Sequence, residues 1–227
     1  TAGIAGIQRA FAAAAGHAHD AGFEVLEIHS AHGYLGHSFL SPISNLRTDS
    51  YGGDLAGRMR FTLETAAAVR AAWPKEKPLF VRISSVDTDG GGEGWQLEDS
   101  VILVKELKAR GVDVIDCSSS GISGVATAAQ GIMPLGFRLP YAERIKAEAD
   151  IMTMVVGLIL DGQQAEAMLQ TGHADLIAIG REALFDPFWA LHAAHALGAD
   201  PDFETWPDQY GWWLTRREPL LKQVGVR

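Results

Sequence analysis

Cysteine is almost missing from this chain: Cys117 is the only one among 227 residues. A disulfide framework, an iron–sulfur cluster and a cysteine-built zinc site are thereby excluded within the chain. A reducing, cytoplasmic setting is the plain expectation. Basic charge is short as well. Lys and Arg total 19 against 28 Asp and Glu, a formal net charge of −9, and no block of five like charges occurs. An acidic, evenly charged surface argues against a nucleic-acid partner. Long hydrophobic runs are absent too. "IMTMVVGLIL" (151–160) is about half a membrane span, so no membrane partner is expected. The opening "TAGIAGIQRAF" lacks a basic n-region and a small-residue cleavage site, so no signal peptide is expected. It starts with Thr1 and enters a helical pattern almost at once, which reads as a fragment or a processed chain. What is present is apolar bulk. A hydrophobic content of 47% is enough for a sizeable core in one domain, or for a large part of one α/β domain.

Apolar runs rich in branched residues alternate with longer helical patterns. Helices are predicted over 7–22, 58–73, 97–111, 141–149, 161–172 and 187–198. Gly22, Gly111 and Gly172 act as stops, and Asp161 as an N-cap. Strands are predicted over 23–29, 79–84, 112–118, 152–159 and 174–180. Five strands, each followed by a helix, point to a parallel sheet. Near-continuous apolar strands fit a sheet covered on both faces. A doubly wound sheet and a (β/α)8 barrel both satisfy this alternation. "GGGEGW" (90–95) lacks the glycine spacing of a dinucleotide fingerprint and reads as a mobile βα loop.

The polar residues favour the barrel. Side chains two apart on a strand share a face. Val25, Glu27 and His29 oppose Leu26 and Ile28; Phe80, Arg82 and Ser84 oppose Val81 and Ile83; Val114, Asp116 and Ser118 oppose Ile115 and Cys117. One face is apolar, and the other turns polar toward the strand ends, where barrels gather catalytic groups. For Glu27 and Asp116, an internal ion-pair network is the competing reading. His29 and His32, three apart at one strand end, could bind metal with Glu27, but a metal site needs more ligands. The later strand ends offer Arg82, Ser118, Gly157 and Gly180, which are poor ligands, so no metal is expected. Two neutral imidazoles donating to one oxygen fit better, because such donors stabilise charge developing on a carbonyl. Tyr34 is a candidate proton donor. Gly157, and Gly180-Arg181 opening onto a helix, are candidate phosphate contacts.

These residues resemble the old yellow enzyme family, the FMN-dependent ene-reductases, over nearly the whole chain. H-x-x-H-G-Y-L, F-L-S-P, N-x-R-x-D-x-Y-G-G and R-x-R-F follow one another within 21–61. "VRIS" (81–84), "VDVIDCSSSG" (112–121), "VVGLI" (155–159) and "ADLIAIGREALFDPFW" (174–189) continue the match. The resemblance is to the bacterial branch with two histidines. It implies a (β/α)8 TIM barrel with FMN at its C-terminal mouth, of which this chain holds about the last five βα units, strands 4–8. It implies that His29 and His32 hold the substrate's carbonyl or nitro oxygen, with Tyr34 as proton donor to the α-carbon. Arg82 would sit at the N1/O2 edge of the flavin, and Gly157, Gly180 and Arg181 would hold the FMN phosphate. NADPH or NADH would reduce FMN and leave, and an activated alkene would then take hydride from flavin N5. Departures are Phe185 where the family has Arg, and Gly57 where it has Asn. The first three units, roughly 100 residues at ~30 each, are absent, and so is the cysteine cluster of the dienoyl-CoA-reductase-like members.

The expected organisation is a partial FMN-binding barrel over 1–205 and an aromatic tail over 206–227. Trp206, Tyr210, Trp212 and Trp213 of the tail would dock on the barrel or on a partner subunit of a homo-oligomer. An open five-stranded sheet exposes two edges, so poor solubility or partnering is predicted for the chain alone. The alternatives are a partial barrel that binds flavin or phosphate without turnover, and a metal-dependent barrel hydrolase.

Overall fold

The computed structural model describes residues 2–88, 93–122 and 133–225. Five strands form one sheet in chain order: β1 (Leu26–Ser30), β2 (Leu79–Ser84), β3 (Val114–Ser118), β4 (Met152–Val156) and β5 (Leu176–Ala178). Every neighbouring pair is parallel. The chain enters through α1 (Ala2–Asp20). Helices α2 (Leu35–Leu40) and α3 (Leu55–Ala72) follow β1, α4 (Leu97–Lys108) follows β2, α5 (Leu139–Ala149) follows β3, and α6 (Gly162–Gln170) follows β4. Parallel neighbours in chain order, joined by helical crossovers, are successive βα units. The chain divides into two compact units, 1–158 with 172–178, and 159–171 with 179–227.

The sheet lies in the first unit. Its apolar face is the one the alternation predicts: Ile28, Val81, Ile83, Ile115, Cys117 and Val155 are all buried. Burying each large aliphatic side chain contributes about 1.5–3 kcal/mol. Val101, Val104 and Leu107 make a buried stripe on α4 at helical spacing. Helix starts follow local chemistry. The Gly57 amide donates to Asp54 Oδ1 at the start of α3 (2.8 Å), and Gln96 and Asp99 form a capping box at the start of α4.

In the second unit, α7 (Arg181–Phe185), α8 (Trp189–Ala196) and α9 (Asp208–Gln223) follow α6. Phe188 meets the rings of Trp206 and Tyr210 at 5.2 and 5.7 Å.

Several boundaries differ from the sequence expectation. The strand expected over 23–29 is Leu26–Ser30, because its register with β2 begins at Leu26 opposite Leu79. The strand expected over 152–159 stops at Val156, where Gly157 (φ 128°) and Leu158 (φ 50°) turn the chain out of the sheet. The strand expected over 174–180 is only Leu176–Ala178. Helices α2 and α9 have no counterpart among the predicted elements, and α7 is the helix onto which Gly180-Arg181 is expected to open. Of "GGGEGW", residues 90–92 lie outside the described residues, and Trp95 is buried.

Candidate active site

The period of two carries Glu27 and His29 away from buried Ile28. In the sheet register, His29 stands opposite Arg82 and Arg82 opposite Asp116. The three residues form one row across three strands. Arg82 Nε lies 3.3 Å from Asp116 Oδ2, with the side chains 27% and 1% exposed. Glu27 is close enough to Asp116 to push its carboxyl up. Of the ion-pair network weighed for Glu27 and Asp116, the Arg82–Asp116 contact is formed.

Beyond β1 the chain turns back on itself. His32 (φ 60°) and Gly33 (φ 77°) are both in the left-handed region. The His32 amide donates to Ser84 Oγ (3.0 Å), which donates to the Ser120 carbonyl (2.7 Å). His32 Nε2 lies 2.6 Å from Ser118 Oγ. Ser118 therefore holds one edge of the ring, and Nδ1 has no hydrogen bond among the described residues. The rings of His29 and His32 are 5.2 Å apart, and those of His29 and Tyr34 5.4 Å. Tyr34 is 65% exposed. His29, His32, Tyr34 and Arg82 thus gather at the ends of β1 and β2.

Both imidazoles are held toward the neutral form. Partial desolvation lowers His29, with Arg82 and His37 adding to it. Burial and the charge of Arg82, then His29, Arg138 and His37, bring His32 down to about 4. A neutral ring keeps one N–H donor and one lone pair. Asp116 moves the other way. Burial raises it to about 7 against the pull of Arg82 and Arg138, with Glu27 pushing it further up.

These two shifts oppose each other in stability. Folded Asp116 keeps its proton up to about pH 7, whereas the ordinary value is 3.8. The folded state therefore binds the extra proton in that window, and stability falls as pH rises through it. Folded His32 stays neutral down to about pH 4, whereas the ordinary value is 6.5. Here the unfolded state binds the extra proton, so stability falls as pH drops below 6.5. The two slopes offset each other in the parent chain. Asp116→Asn is expected to uncover the histidine slope, giving a stability that climbs more steeply with pH than the parent's. His32→Gln is expected to tilt it the opposite way. Urea unfolding at several pH values between about 4 and 6.5 checks this; identical slopes in all three proteins would sink it.

Gly157 closes β4 in the first unit. A Cβ there would lie 2.9 Å from Phe137 Cε1 and 3.3 Å from Arg138 Nη1. Arg138 is buried, donates from Nε to Ser119 Oγ (2.6 Å), and has its guanidinium carbon 4.3 Å from the centre of the Phe137 ring. It is a second cation at this site, and sequence reasoning passes over it. Its one signal is its place as N-cap of α5, two residues before Pro140. In the second unit, Gly180 is the N-cap of α7 and Arg181 its first residue. Gly180 has open space where a Cβ would project. His37, on α2, and its partner Asp87 are likewise not singled out from sequence. Among the described residues, no group of three or more His, Cys, Asp or Glu is placed to hold a metal ion. No helix among them is long and apolar enough to cross a membrane.

Consecutive parallel βα units are the architecture of a TIM barrel, and solved TIM-barrel flavoenzymes agree. Morphinone reductase superposes with a TM-score of 0.70 at 27% identity, covering 87% of this chain and 50% of that one. 2-Naphthoyl-CoA reductase complexed with 2-naphthoyl-CoA gives 0.75 at 27% identity, covering 88% and 30%. The chain holds about five of the eight barrel units. Residues 1–200 match the NADH:flavin oxidoreductase / NADH oxidase family, and the chain belongs to it, the old yellow enzyme family. An NADPH dehydrogenase of Bacillus subtilis (strain 168) is 48% identical over 191 residues, 84% of this chain and 54% of that protein. One from Geobacillus thermodenitrificans (strain NG80-2) is 46% identical over 206 residues, 90% and 57%. The chain spans little more than half the length of these curated relatives.

Proposed function

We propose that this chain carries the substrate-activating part of an FMN-dependent, NAD(P)H-using ene-reductase acting on α,β-unsaturated carbonyl or nitro compounds. The observation that carries the reading is the pair of rings, His29 and His32, 5.2 Å apart beside exposed Tyr34. Neutral imidazole N–H groups aimed at one oxygen would draw electron density from a conjugated alkene and stabilise the developing enolate. Tyr34 would hold its phenol proton ready for the α-carbon. Bound FMN would supply the hydride for the β-carbon and be recharged by NADPH or NADH.

The residues present fit that group. Arg82 Nε is buried and, although 3.3 Å from Asp116, makes no aligned hydrogen bond. A cation with spare donor capacity suits the electron-rich N1/O2 edge of a reduced flavin. Gly157 beside Arg138, and separately the open Gly180 followed by Arg181, are the local features that support a phosphate role. A cytoplasmic setting goes with the reading, as does contact of the tail with a partner subunit; Trp212 and Trp213 are 50% and 66% exposed.

The test is flavin content, then NADPH oxidation with and without an enone such as cyclohexenone. FMN bound in stoichiometric amount and enone-dependent oxidation are expected. Bound FMN without turnover would favour the binding-only alternative. Stoichiometric zinc with no flavin would replace the reading by the hydrolase.

A further inference from the structure

A second polar cluster lies beneath the loop that bears His32 and Tyr34, and the proposed reaction leaves it without a role. Its members are His37, Ser41 and Asp87. The His37 and Asp87 side chains are both fully buried. His37 Nδ1 accepts from the Gly33 amide at 2.9 Å. An N–H does not point at another N–H, so the ring hydrogen sits on Nε2. Nε2 is 2.7 Å from Asp87 Oδ1 and donates to it. Asp87 Oδ2 accepts the Ser41 hydroxyl (2.5 Å) and the Trp95 amide (2.7 Å). Burial alone would raise the Asp87 carboxyl, and these hydrogen bonds together hold it below the usual range. Gly94 keeps the room open, because a Cβ there would lie 2.3 Å from Asp87 Oδ2.

The chain of contacts therefore runs from Trp95 and Ser41 through Asp87 and His37 to Gly33. Gly33 sits between His32 and Tyr34. His37 is the third residue of α2, and Tyr34 is the N-cap. In a capping box the third residue reaches back to the N-cap amide. Here it reaches one residue further, so the bond fastens the loop and not the helix end.

We propose that His37 is a positioning residue for the reaction: oriented by Asp87, its Nδ1 holds the Gly33 amide and so fixes where the His32 ring and the Tyr34 phenol stand. The inference rests on the ene-reductase reading above.

Two variants separate this role from a merely structural one. His37→Asn keeps an acceptor near the Nδ1 position and gives up Asp87. His37→Gln keeps a donor toward Asp87 and gives up the Gly33 amide. Both lose half of the buried network, so both lower the melting temperature. For the FMN-loaded chain, kcat with an enone is expected to fall about threefold in His37→Asn and about 30-fold or more in His37→Gln. A loss of kcat that tracks melting temperature, whichever bond is kept, would overturn the assignment. A flavin-free measurement stands beside it. Uniformly 15N-labelled parent chain should show a scalar coupling across the hydrogen bond between the Gly33 nitrogen and His37 Nδ1. Its absence would overturn the assignment even if neither variant folds. The failures are distinguishable. No turnover by the flavin-loaded parent defeats the ene-reductase reading, and any role in that reaction with it. Turnover without the coupling defeats only the role of His37.

Discussion

His29→Ala and His32→Ala are each expected to lower kcat/KM for an enone by about 10²–10³-fold, the usual loss when one donor to a developing oxyanion is removed. Both rings are assigned to the same oxygen, so the double variant should lose far less than the product of the singles. Changes in the KM for the enone should be smaller than those in kcat, because the donors act most where charge is greatest. Thermal unfolding provides the control. His29 is exposed, so its removal should leave stability nearly unchanged. A double variant with parental kcat/KM would remove the imidazole pair from the mechanism. Additive losses would mean that the rings serve separate steps.

The second large effect lies in the main chain and not in a side chain. Gly121→Ala is expected to destabilise the chain by about 2–4 kcal/mol, combining backbone strain with overpacking. Gly121 has φ 121°, and a Cβ there would lie 2.3 Å from both the His32 carbonyl carbon and its Cα. Those are main-chain atoms and cannot rotate aside. The same contact read from the other strand end puts a Gly33 Cβ 2.3 Å from the Gly121 carbonyl oxygen. The two backbones touch where the loop after β1 crosses the loop after β3. Displacing it would move His32, so turnover should fall along with stability. Gly16→Ala in α1 is the matched control: nothing lies within 4 Å of its Cβ position, and a mid-helix glycine replaced by alanine should gain about 0.5–1 kcal/mol. Denaturant unfolding of both variants decides it; a Gly121→Ala protein as stable as the parent would mean that this crossing is not tight.

Much of this site is legible in the sequence because it hangs on regular structure. Strand periodicity alone puts His29, Arg82 and Asp116 on one face, and the sheet sets them side by side. The His-x-x-His-Gly-Tyr spacing is local, so the approach of His29, His32 and Tyr34 follows from a single turn. What sequence reading misses is what depends on distant partners or weak local signals. His37 and Asp87 are 50 residues apart, and nothing near either announces the other. Helix α2 has six residues, no side-chain cap and a glycine inside it, Gly36, which is required because a Cβ would lie 2.4 Å from Ser30 Oγ. Helix α9 contains Pro219 and Gly211, both poor helix formers. Arg138 looks like any surface cation in the sequence, yet it is buried against Phe137 and Ser119.

The His29–Arg82–Asp116 row has a consequence for how the gene can vary. Its alignment is set by main-chain hydrogen bonding, which advances in whole residues. Inserting or deleting one residue inside β1, β2 or β3 shifts a member by about 3.3 Å and turns its side chain to the opposite face. No neighbouring rotamer can restore that. Changes of length are therefore barred from these short stretches, and the βα connections are where such variation can accumulate.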